Sequence, residues 1–169
     1  MNNKIYCFYP EKEILNTSLL NSIFNLNELN KPALGQIDDL DHLKKLYKSS
    51  LFCLCTYNED QLTSFTLVMD ENSDYQSPNY LFFKSKFSKF LYVDRIAVSD
   101  GFQRLGIGSI SYNFIYELAQ KEKLPFCCEV NTVPLNQQSL NFHKKNGFEV
   151  LEEISFGKKT VAMLVKYSK

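Results

Sequence analysis

Residues 90–121 constrain the fold most strongly, because a strand pattern continues through a glycine-containing loop directly into a helix pattern. Residues 90–98 are rich in Phe, Tyr, Val and Ile, which favours a strand. Residues 108–121 carry apolar side chains at helical spacing. We therefore predict a strand and a helix joined by a short loop that contains Gly106 and Gly108.

The remaining patterns predict a chain of seven strands and four helices. The predicted strands lie at 5–9, 51–56, 62–69, 90–98, 126–130, 148–154 and 160–166. The predicted helices lie at 14–28, 38–47, 108–121 and 134–145. The second helix begins at Asp38 or Asp39, and the fourth ends at Asn146-Gly147. The stretch 70–79 is interpreted as a loop, and Lys84, Lys86 and Lys89 as solvated side chains on a strand edge or loop. This order of elements predicts an α+β fold, with a sheet that carries helices on both faces.

Length, charge and cysteine usage exclude several classes of protein. The 169 residues suit one domain over 1–169. The 19 basic and 19 acidic residues cancel, so the basic excess typical of nucleic-acid-binding proteins is absent. No apolar stretch approaches the roughly 20 residues that cross a bilayer, and the N-terminus does not have the pattern of a signal peptide. We expect a cytoplasmic protein without a membrane segment. Five cysteines in apolar runs and only two histidines predict buried thiols, with no disulfide and no metal site.

The glycine-containing loop suits a phosphate group. Gly106 and Gly108 have no side chains, so a ligand can approach the backbone closely. The amides of residues 105–109 lie at a helix N-terminus, which favours an anion, and Arg104 adds positive charge. A P-loop would need a lysine after Gly108. A dinucleotide-binding loop would need a third glycine at position 111. Ser111 stands there, and this weakens the dinucleotide-binding alternative without removing it. Taken alone, two glycines leave a tight turn without any ligand equally open.

A second motif about 25 residues further on narrows the interpretation. Residues 103–108 have the sequence Gln-Arg-Leu-Gly-Ile-Gly, and residues 136–148 begin with Asn136 and end with Gly147-Phe148. The first resembles motif A of the GNAT acyl-CoA N-acyltransferase superfamily, Gln/Arg-x-x-Gly-x-Gly/Ala. The second resembles its motif B, Asn-x-x-Ala-x-x-hydrophobic-Tyr-x-x-x-Gly-Phe. The strings at 27–34, 92–95 and 128–131 are similar to one little-characterised bacterial branch of that family.

The resemblance implies the family's fold and acetyl-CoA as cosubstrate. The sheet would be twisted and mostly antiparallel, and its two central strands would splay apart around the thioester. The implied contacts to acetyl-CoA are Ile96, Ala97 and Val98 for pantetheine, Gln103, Arg104, Leu105, Gly106, Ile107, Gly108 and Ser109 for the pyrophosphate, and Asn136, Ser139 and Phe142 along the pantetheine arm. A backbone amide near Ala97 or Val98 would stabilise the oxyanion.

The proton-transfer groups depart from the family's usual pattern. His143 stands where a tyrosine commonly protonates the departing thiolate, and the ordinary pKa of an imidazole, about 6.5, suits that role. Tyr92 stands where some relatives have a glutamate base. Asp94, on the same predicted strand face as Tyr92, or Glu129, on the neighbouring strand, would then activate the amine or bind a cationic acceptor. Arg95 is expected on the opposite strand face.

The motifs do not identify the acceptor. By the resemblance, Asn27 and Glu28 at the end of the first helix would contact it together with Tyr92, and residues 27–39 and 70–89 would select it. The implied function is transfer of an acetyl group to an amine of a small molecule or peptide by direct attack in a ternary complex, with a homodimer as a possible assembly. Two alternatives stay open: a catalytically decayed acyl-CoA-binding or sensing module, and a dinucleotide-binding protein.

Overall fold

A computed structural model describes residues 3–168. Its strands are β1 Asn3–Phe8, β2 Phe52–Asn58, β3 Gln61–Asp70, β4 Leu91–Val98, β5 Phe126–Val133, β6 Glu149–Phe156 and β7 Lys159–Lys166. Its helices are α1 Thr17–Leu29, α2 Leu40–Ser49, α3 Pro78–Lys86, α4 Ile107–Glu122 and α5 Gln137–Lys145, with a 3₁₀ turn at Asp100–Phe102. The seven predicted strands and four predicted helices are confirmed, and α3 is an addition.

The strands form one sheet in the order β1-β2-β3-β4-β5-β7-β6. All neighbours pair antiparallel except β4 and β5, which are parallel. The parallel pairing is short, because only Leu91 with Phe126 and Tyr92 with Cys127 face each other in register. Beyond Tyr92 and Cys127 the two central strands separate, so the splayed, mostly antiparallel sheet predicted from the family resemblance is confirmed.

Helices cover both faces of the sheet and divide its core. The face that we call the first face packs against α1, α2 and α3, as Leu67 and Met69 of β3 show. The second face packs against α4 and α5, with Val93 and Cys128 beside the ring of Tyr112. The gap between β4 and β5 therefore connects two sides of the molecule that are otherwise separated by the sheet.

A β-bulge interrupts β4 at Asp94. Val68 of β3 pairs with Val93 and Leu67 pairs with Arg95, so Asp94 has no partner across the strand. A bulge adds one residue and shifts the alternation of side chains after it. Arg95 consequently points to the first face, as Asp94 does, and the prediction that Arg95 occupies the opposite face is wrong.

Helix α3 corrects two interpretations: it includes the last two residues of the predicted 70–79 loop, and it carries Lys84 and Lys86, which were expected on a strand edge or loop. Pro78 occupies the first turn, where the missing amide hydrogen is not needed, and the buried rings of Tyr80 and Phe83 attach the helix to the first face. Lys84 and Lys86 lie in its last turn. The predicted start of α2 and the predicted end of α5 are confirmed: Asp39 caps α2 by accepting from the amide of His42, and α5 ends at Asn146. Helices α1 and α5 begin three residues later than predicted, at Thr17 and Gln137.

The five cysteines are free thiols within the described part of the chain. Cys53 and Cys55 share one strand face, with their sulfur atoms 3.8 Å apart. None of the helices in residues 3–168 combines the length and apolar character needed to cross a membrane. Nor do those residues contain a group of three or more His, Cys, Asp or Glu side chains that would hold a metal ion.

Candidate active site

The separation of β4 and β5 opens a cavity of about 690 Å³. On the second face it is lined by the 103–109 loop and by α5. On the first face it is lined by the α1–α2 connection and by the segment around Tyr75 and Asn79. The carboxyl groups of Asp94 and Glu129 lie along the gap itself. Most of the residues assigned from the sequence to the cofactor and to catalysis thus line one space.

The glycine loop forms the N-terminus of α4. Arg104 has φ 61° and Gly106, the N-cap, has φ 85°, so the chain turns through the left-handed region just before the helix. Gly106 is favoured there because a Cβ atom strains this conformation. The first amide to bond back along the helix is that of Ile110, to the carbonyl oxygen of Gly106 at 3.0 Å. The amides of residues 107–109 precede this bond and have no partner along the helix, an arrangement that favours an anion beside the cavity.

Gly108 allows α4 and α5 to approach closely. A Cβ atom at this position would lie 3.3 Å from the ring of Phe142 and 3.9 Å from Ile96 Cδ1. The Phe142 ring and the Ile96 side chain therefore occupy the space directly above Gly108. Gly108, Phe142 and Ile96 also line the cavity, so this close packing forms part of its second-face wall.

Several residues assigned to the cofactor also hold the backbone in place. The side-chain amide nitrogen Nε2 of Gln103 donates to the Val98 carbonyl oxygen at 3.3 Å and to Asp100 Oδ1 at 2.9 Å. Asn136 Oδ1 accepts from the Ser139 amide at 3.1 Å and caps α5. These bonds order the loop and the helix end that line the cavity.

Two of the residues assigned to the cofactor lie outside the cavity wall. Leu105 is exposed to solvent, and the side chain of Ala97 is buried in the core of the first face. For Ala97 the expected contribution is a backbone group, which its side-chain position leaves unaffected.

Glu129 is the carboxyl group whose ionisation is most perturbed at the gap. Its Oε1 accepts from Asn79 Nδ2 at 2.9 Å, whereas its Oε2 is buried without a hydrogen-bond partner at full geometry. Burial, with a smaller contribution from Asp94, raises the pKa of Glu129 from its ordinary value of 4.5 to about 7. Interactions with Tyr92, Asn79 and Lys159 act in the opposite direction. A carboxyl group with a pKa near 7 can accept and release a proton at neutral pH.

Asp94 has a different environment from Glu129, although both line the gap. Asp94 Oδ1 accepts from the Tyr75 hydroxyl at 2.5 Å, and Oδ2 accepts from Arg95 Nε at 2.7 Å. The side chains of Asp94 and Arg95 are both almost fully buried. Burial, followed by the charge of Asp94, raises the pKa of Tyr75 well above its ordinary range. Asp94 is thus a charge-compensated, hydrogen-bonded carboxylate.

His143 is a buried residue of α5 whose two ring nitrogens both have partners. Nδ1 lies 2.7 Å from the Ser139 carbonyl oxygen, and Nε2 lies 2.9 Å from the Tyr112 hydroxyl. Since a carbonyl oxygen can only accept, Nδ1 carries the hydrogen and Nε2 accepts from Tyr112. Burial lowers the pKa of His143 to about 4, against the opposite effect of the Ser139 carbonyl. His143 is therefore a neutral imidazole at neutral pH.

The three residues assigned to the acceptor lie behind the wall of the cavity. Asn27 is buried and bonds to Arg95 and Gly35. Glu28 pairs with Lys31. The ring of Tyr92 packs in the core of the first face, and its buried hydroxyl faces Glu129 without a partner at full hydrogen-bond geometry.

Sequence reasoning missed four residues of this region: Tyr75, Asn79, Arg95 and Tyr112. Tyr112 follows Gly108 by four residues, a helical spacing that already places both on the same side of α4. Tyr75 and Asn79 fall within the 70–89 stretch expected to select the acceptor, but no motif distinguishes them. The position of Arg95 depends on the bulge, which has no signature in the sequence.

Comparison with known protein families identifies the family of this chain. The profile of the Acetyltransferase (GNAT) family matches residues 20–148, about three quarters of the chain. The chain belongs to this family. Membership identifies this GNAT protein as an acyltransferase, and the expectation from motifs A and B is confirmed. A comparison with curated protein sequences gives no significant match.

Solved structures share the fold of this GNAT protein at low identity. The ribosomal-protein-S18-alanine N-acetyltransferase from Escherichia coli has 12% identity and a TM-score of 0.68, with 99% of this chain and 95% of that chain covered. A chain of the NatC complex bound to Gag peptide and CoA has 12% identity and a TM-score of 0.71, with both chains covered fully. An aminoglycoside 6'-N-acetyltransferase complexed with coenzyme A has 11% identity and a TM-score of 0.70, with 97% and 96% covered. At these identities the similarity establishes the fold.

Proposed function

We propose that this GNAT protein transfers the acetyl group of acetyl-CoA to a primary amine of a small molecule or peptide, by direct attack within a ternary complex. The observation that carries the proposal is the Glu129 carboxyl group, held at the gap between β4 and β5 with a pKa of about 7. A general base in this position is matched to neutral pH. The family and the CoA-bound structural neighbours support the cosubstrate.

Acetyl-CoA is proposed to bind on the second face. Its pyrophosphate would lie on the amides of residues 107–109 beside Arg104, and its pantetheine arm would pass Gly108 and Phe142. This placement delivers the thioester to the gap, where β4 and β5 no longer bond to each other. A backbone amide near Ala97 or Val98 would then stabilise the oxyanion.

The acceptor is proposed to approach from the first face. Glu129 removes a proton from the amine, whose nitrogen attacks the thioester carbon; the N–C bond forms and the C–S bond breaks. The thiolate takes a proton from solvent, because the Tyr112 hydroxyl donates its hydrogen to His143 Nε2 and burial raises the pKa of Tyr112. Solvent then removes the proton of Glu129, so the products are an amide and the CoA thiol.

Thiol release from acetyl-CoA with a panel of amines tests this proposal. We expect turnover with at least one amine and no release from acetyl-CoA alone. Tight CoA binding without turnover on small amines or peptide N-termini would identify a sensing module instead. Thermal stabilisation by NAD, without a response to CoA, would identify a dinucleotide-binding protein.

A further inference from the structure

One hydrogen-bonded network on the first face connects segments that are far apart in the sequence. Arg95 Nη1 donates to Asn27 Oδ1 of α1 at 3.0 Å and to the Gly35 carbonyl oxygen at 3.2 Å. Arg95 Nε donates to Asp94, which accepts from Tyr75. Asn27 Nδ2 also donates to the Gly35 carbonyl oxygen, at 3.3 Å. The pair at the β4 bulge therefore contacts α1, the α1–α2 connection and the β3–α3 connection at once.

This network is built from buried charges, although burial of charge does not in general stabilise a fold. The side chains of Arg95 and Asp94 are 7% and 4% exposed. The cost of removing two charges from water often equals or exceeds their mutual attraction. A network of this kind is more readily explained by the geometry that it fixes than by the free energy of unfolding.

The segments tied to Arg95 are the walls of the acceptor half of the cavity. The α1–α2 connection contributes Ala33, Leu34 and Gly35 to the lining, and the β3–α3 region contributes Tyr75 and Asn79. Asn79 is also the donor to Glu129. Fixing these segments therefore fixes the space in which an amine meets Glu129.

We propose that Arg95 is a positioning residue for the acceptor. It holds the α1–α2 connection and the β3–α3 region, the two walls of the acceptor half, at a fixed position relative to Glu129. The inference rests on the proposed function, because it assigns a role within the amine site of that reaction. Loss of Arg95 then weakens capture and orientation of the amine and leaves the acetyl-CoA site on the opposite face intact. A misplacement of about 1 Å is enough to cost on the order of 100-fold in rate.

A second consequence is electrostatic and separates positioning from a merely structural role. Among the described residues, Arg95 is the only cation in contact with Asp94, and Asp94 acts on Glu129. The groups that bond to Glu129 or interact with it electrostatically are Asp94 and Tyr92 on β4, Tyr75 and Asn79 near α3, Lys159 on β7, Cys128 on its own strand and Tyr112 on α4. Without Arg95 the charge of Asp94 is uncompensated, so the acid limb of the activity profile moves to higher pH. Without Asp94 that limb moves to lower pH.

The test uses steady-state kinetics of the Arg95→Met, Tyr75→Phe, Asp94→Asn and Asp94→Asn/Arg95→Met proteins, each with an accepted amine. We expect Arg95→Met to raise the amine KM or lower amine kcat/KM by about 10- to 100-fold, with the acetyl-CoA KM within twofold of wild type. Tyr75→Phe keeps the ring and loses one bond, so it should change the same parameters less. The double variant should restore the acid limb but not the amine KM. Lys86→Met, which breaks the exposed pair with Glu152, is the matched control and should change neither.

The inference would be overturned if Arg95→Met lowered kcat/KM equally for the amine and for acetyl-CoA. A lower melting temperature of Arg95→Met with unchanged kinetic constants would overturn it as well. The Tyr75→Phe and double variants keep the test decisive if Arg95→Met does not fold, because both must still raise the amine KM selectively. If wild type binds CoA and acetylates no amine, the proposed function fails. If wild type is active and Arg95→Met retains its amine KM, only the positioning role fails.

Discussion

Replacing Glu129 by glutamine removes the charge of the buried carboxyl group while it keeps the shape and the acceptor oxygen for Asn79. With a pKa of about 7, about half of the Glu129 side chains are carboxylates at pH 7, about a tenth at pH 6 and about nine tenths at pH 8. Wild-type kcat/KM should therefore fall about tenfold per pH unit below pH 6. Glu129→Gln should lower kcat/KM by about 10²- to 10⁴-fold at pH 8 and abolish this limb.

The same substitution should increase the free energy of unfolding. The pKa of Glu129 rises from 4.5 to about 7 on folding, so the folded state binds the proton more tightly than the unfolded state. The resulting stabilisation is complete below pH 4.5 and is lost as the pH rises through 7. Since each pKa unit corresponds to about 1.4 kcal/mol, Glu129→Gln should be more stable than wild type by at most about 3 kcal/mol at pH 8, and by nothing at pH 4. For a chain of this size that is a rise in Tm of up to about 10 °C.

Two measurements check this prediction. The pH dependence of kcat/KM should be recorded between pH 5.5 and 8.5 with two amines of different pKa. The decrease in kcat/KM caused by protonation of Glu129 occurs at the same pH with both amines, whereas the decrease caused by protonation of the amine shifts with the amine's pKa. Thermal unfolding of both proteins should be recorded at pH 4 and pH 8. Glu153→Gln, which neutralises an exposed carboxylate on β6, is the control and should change neither result. The prediction would be refuted if Glu129→Gln lost activity but the difference in Tm between variant and wild type were the same at pH 4 and at pH 8.

Two further substitutions probe the second face. Gly108→Val should raise the Kd of CoA at least about tenfold, because its side chain would push the Phe142 ring out of the cavity wall. Gly101→Val, where a Cβ atom meets nothing within 4 Å, should leave the Kd unchanged. Calorimetric titration measures both, and equal affinities would contradict the placement of CoA beside Gly108. His143→Phe should lower the free energy of unfolding by about 1–3 kcal/mol, because the buried Tyr112 hydroxyl loses its acceptor. Its activity profile above pH 5.5 should keep the wild-type shape, since the pKa of His143 is about 4, and a lost limb in that range would contradict a neutral imidazole.

The second-face wall of the cavity, formed by the 103–109 loop and α5, could be predicted from the sequence because its structure is determined by local sequence patterns. The left-handed turn at Gly106, the free amides after it and the cap at Asn136 each depend on a few neighbouring residues. A strand that ends in a glycine loop before a helix has few alternative structures. The two motifs therefore identify the residues of one wall of the cavity.

The acceptor half could not be predicted, because it is determined by long-range contacts. The apolar residues of α3 are consecutive rather than periodic, and only Tyr80 and Phe83 are fully buried. The orientation of Arg95 depends on one unpaired residue in the β3–β4 ladder, and simple alternation along the strand gives the opposite face. The neutral state of His143 likewise depends on burial, to which the rings of Tyr112 and Phe148 outside its own helix contribute.

The two carboxyl groups at the gap show how the fold distributes chemical roles between similar side chains. Asp94 is paired with the charge of Arg95 and accepts a hydrogen bond from the Tyr75 hydroxyl, so both of its oxygens have partners within the protein. Glu129 has one amide donor and one buried oxygen without a partner, so its charged form is disfavoured relative to the protonated form. A cationic group bound beside it would stabilise the charged form. Carboxyl groups with such different hydrogen-bond partners can divide acid–base and positioning roles. Asp94→Asn should therefore retain kcat within about tenfold of wild type at saturating amine, whereas Glu129→Gln should not, and comparable losses of kcat in the two variants would place the base on a different group.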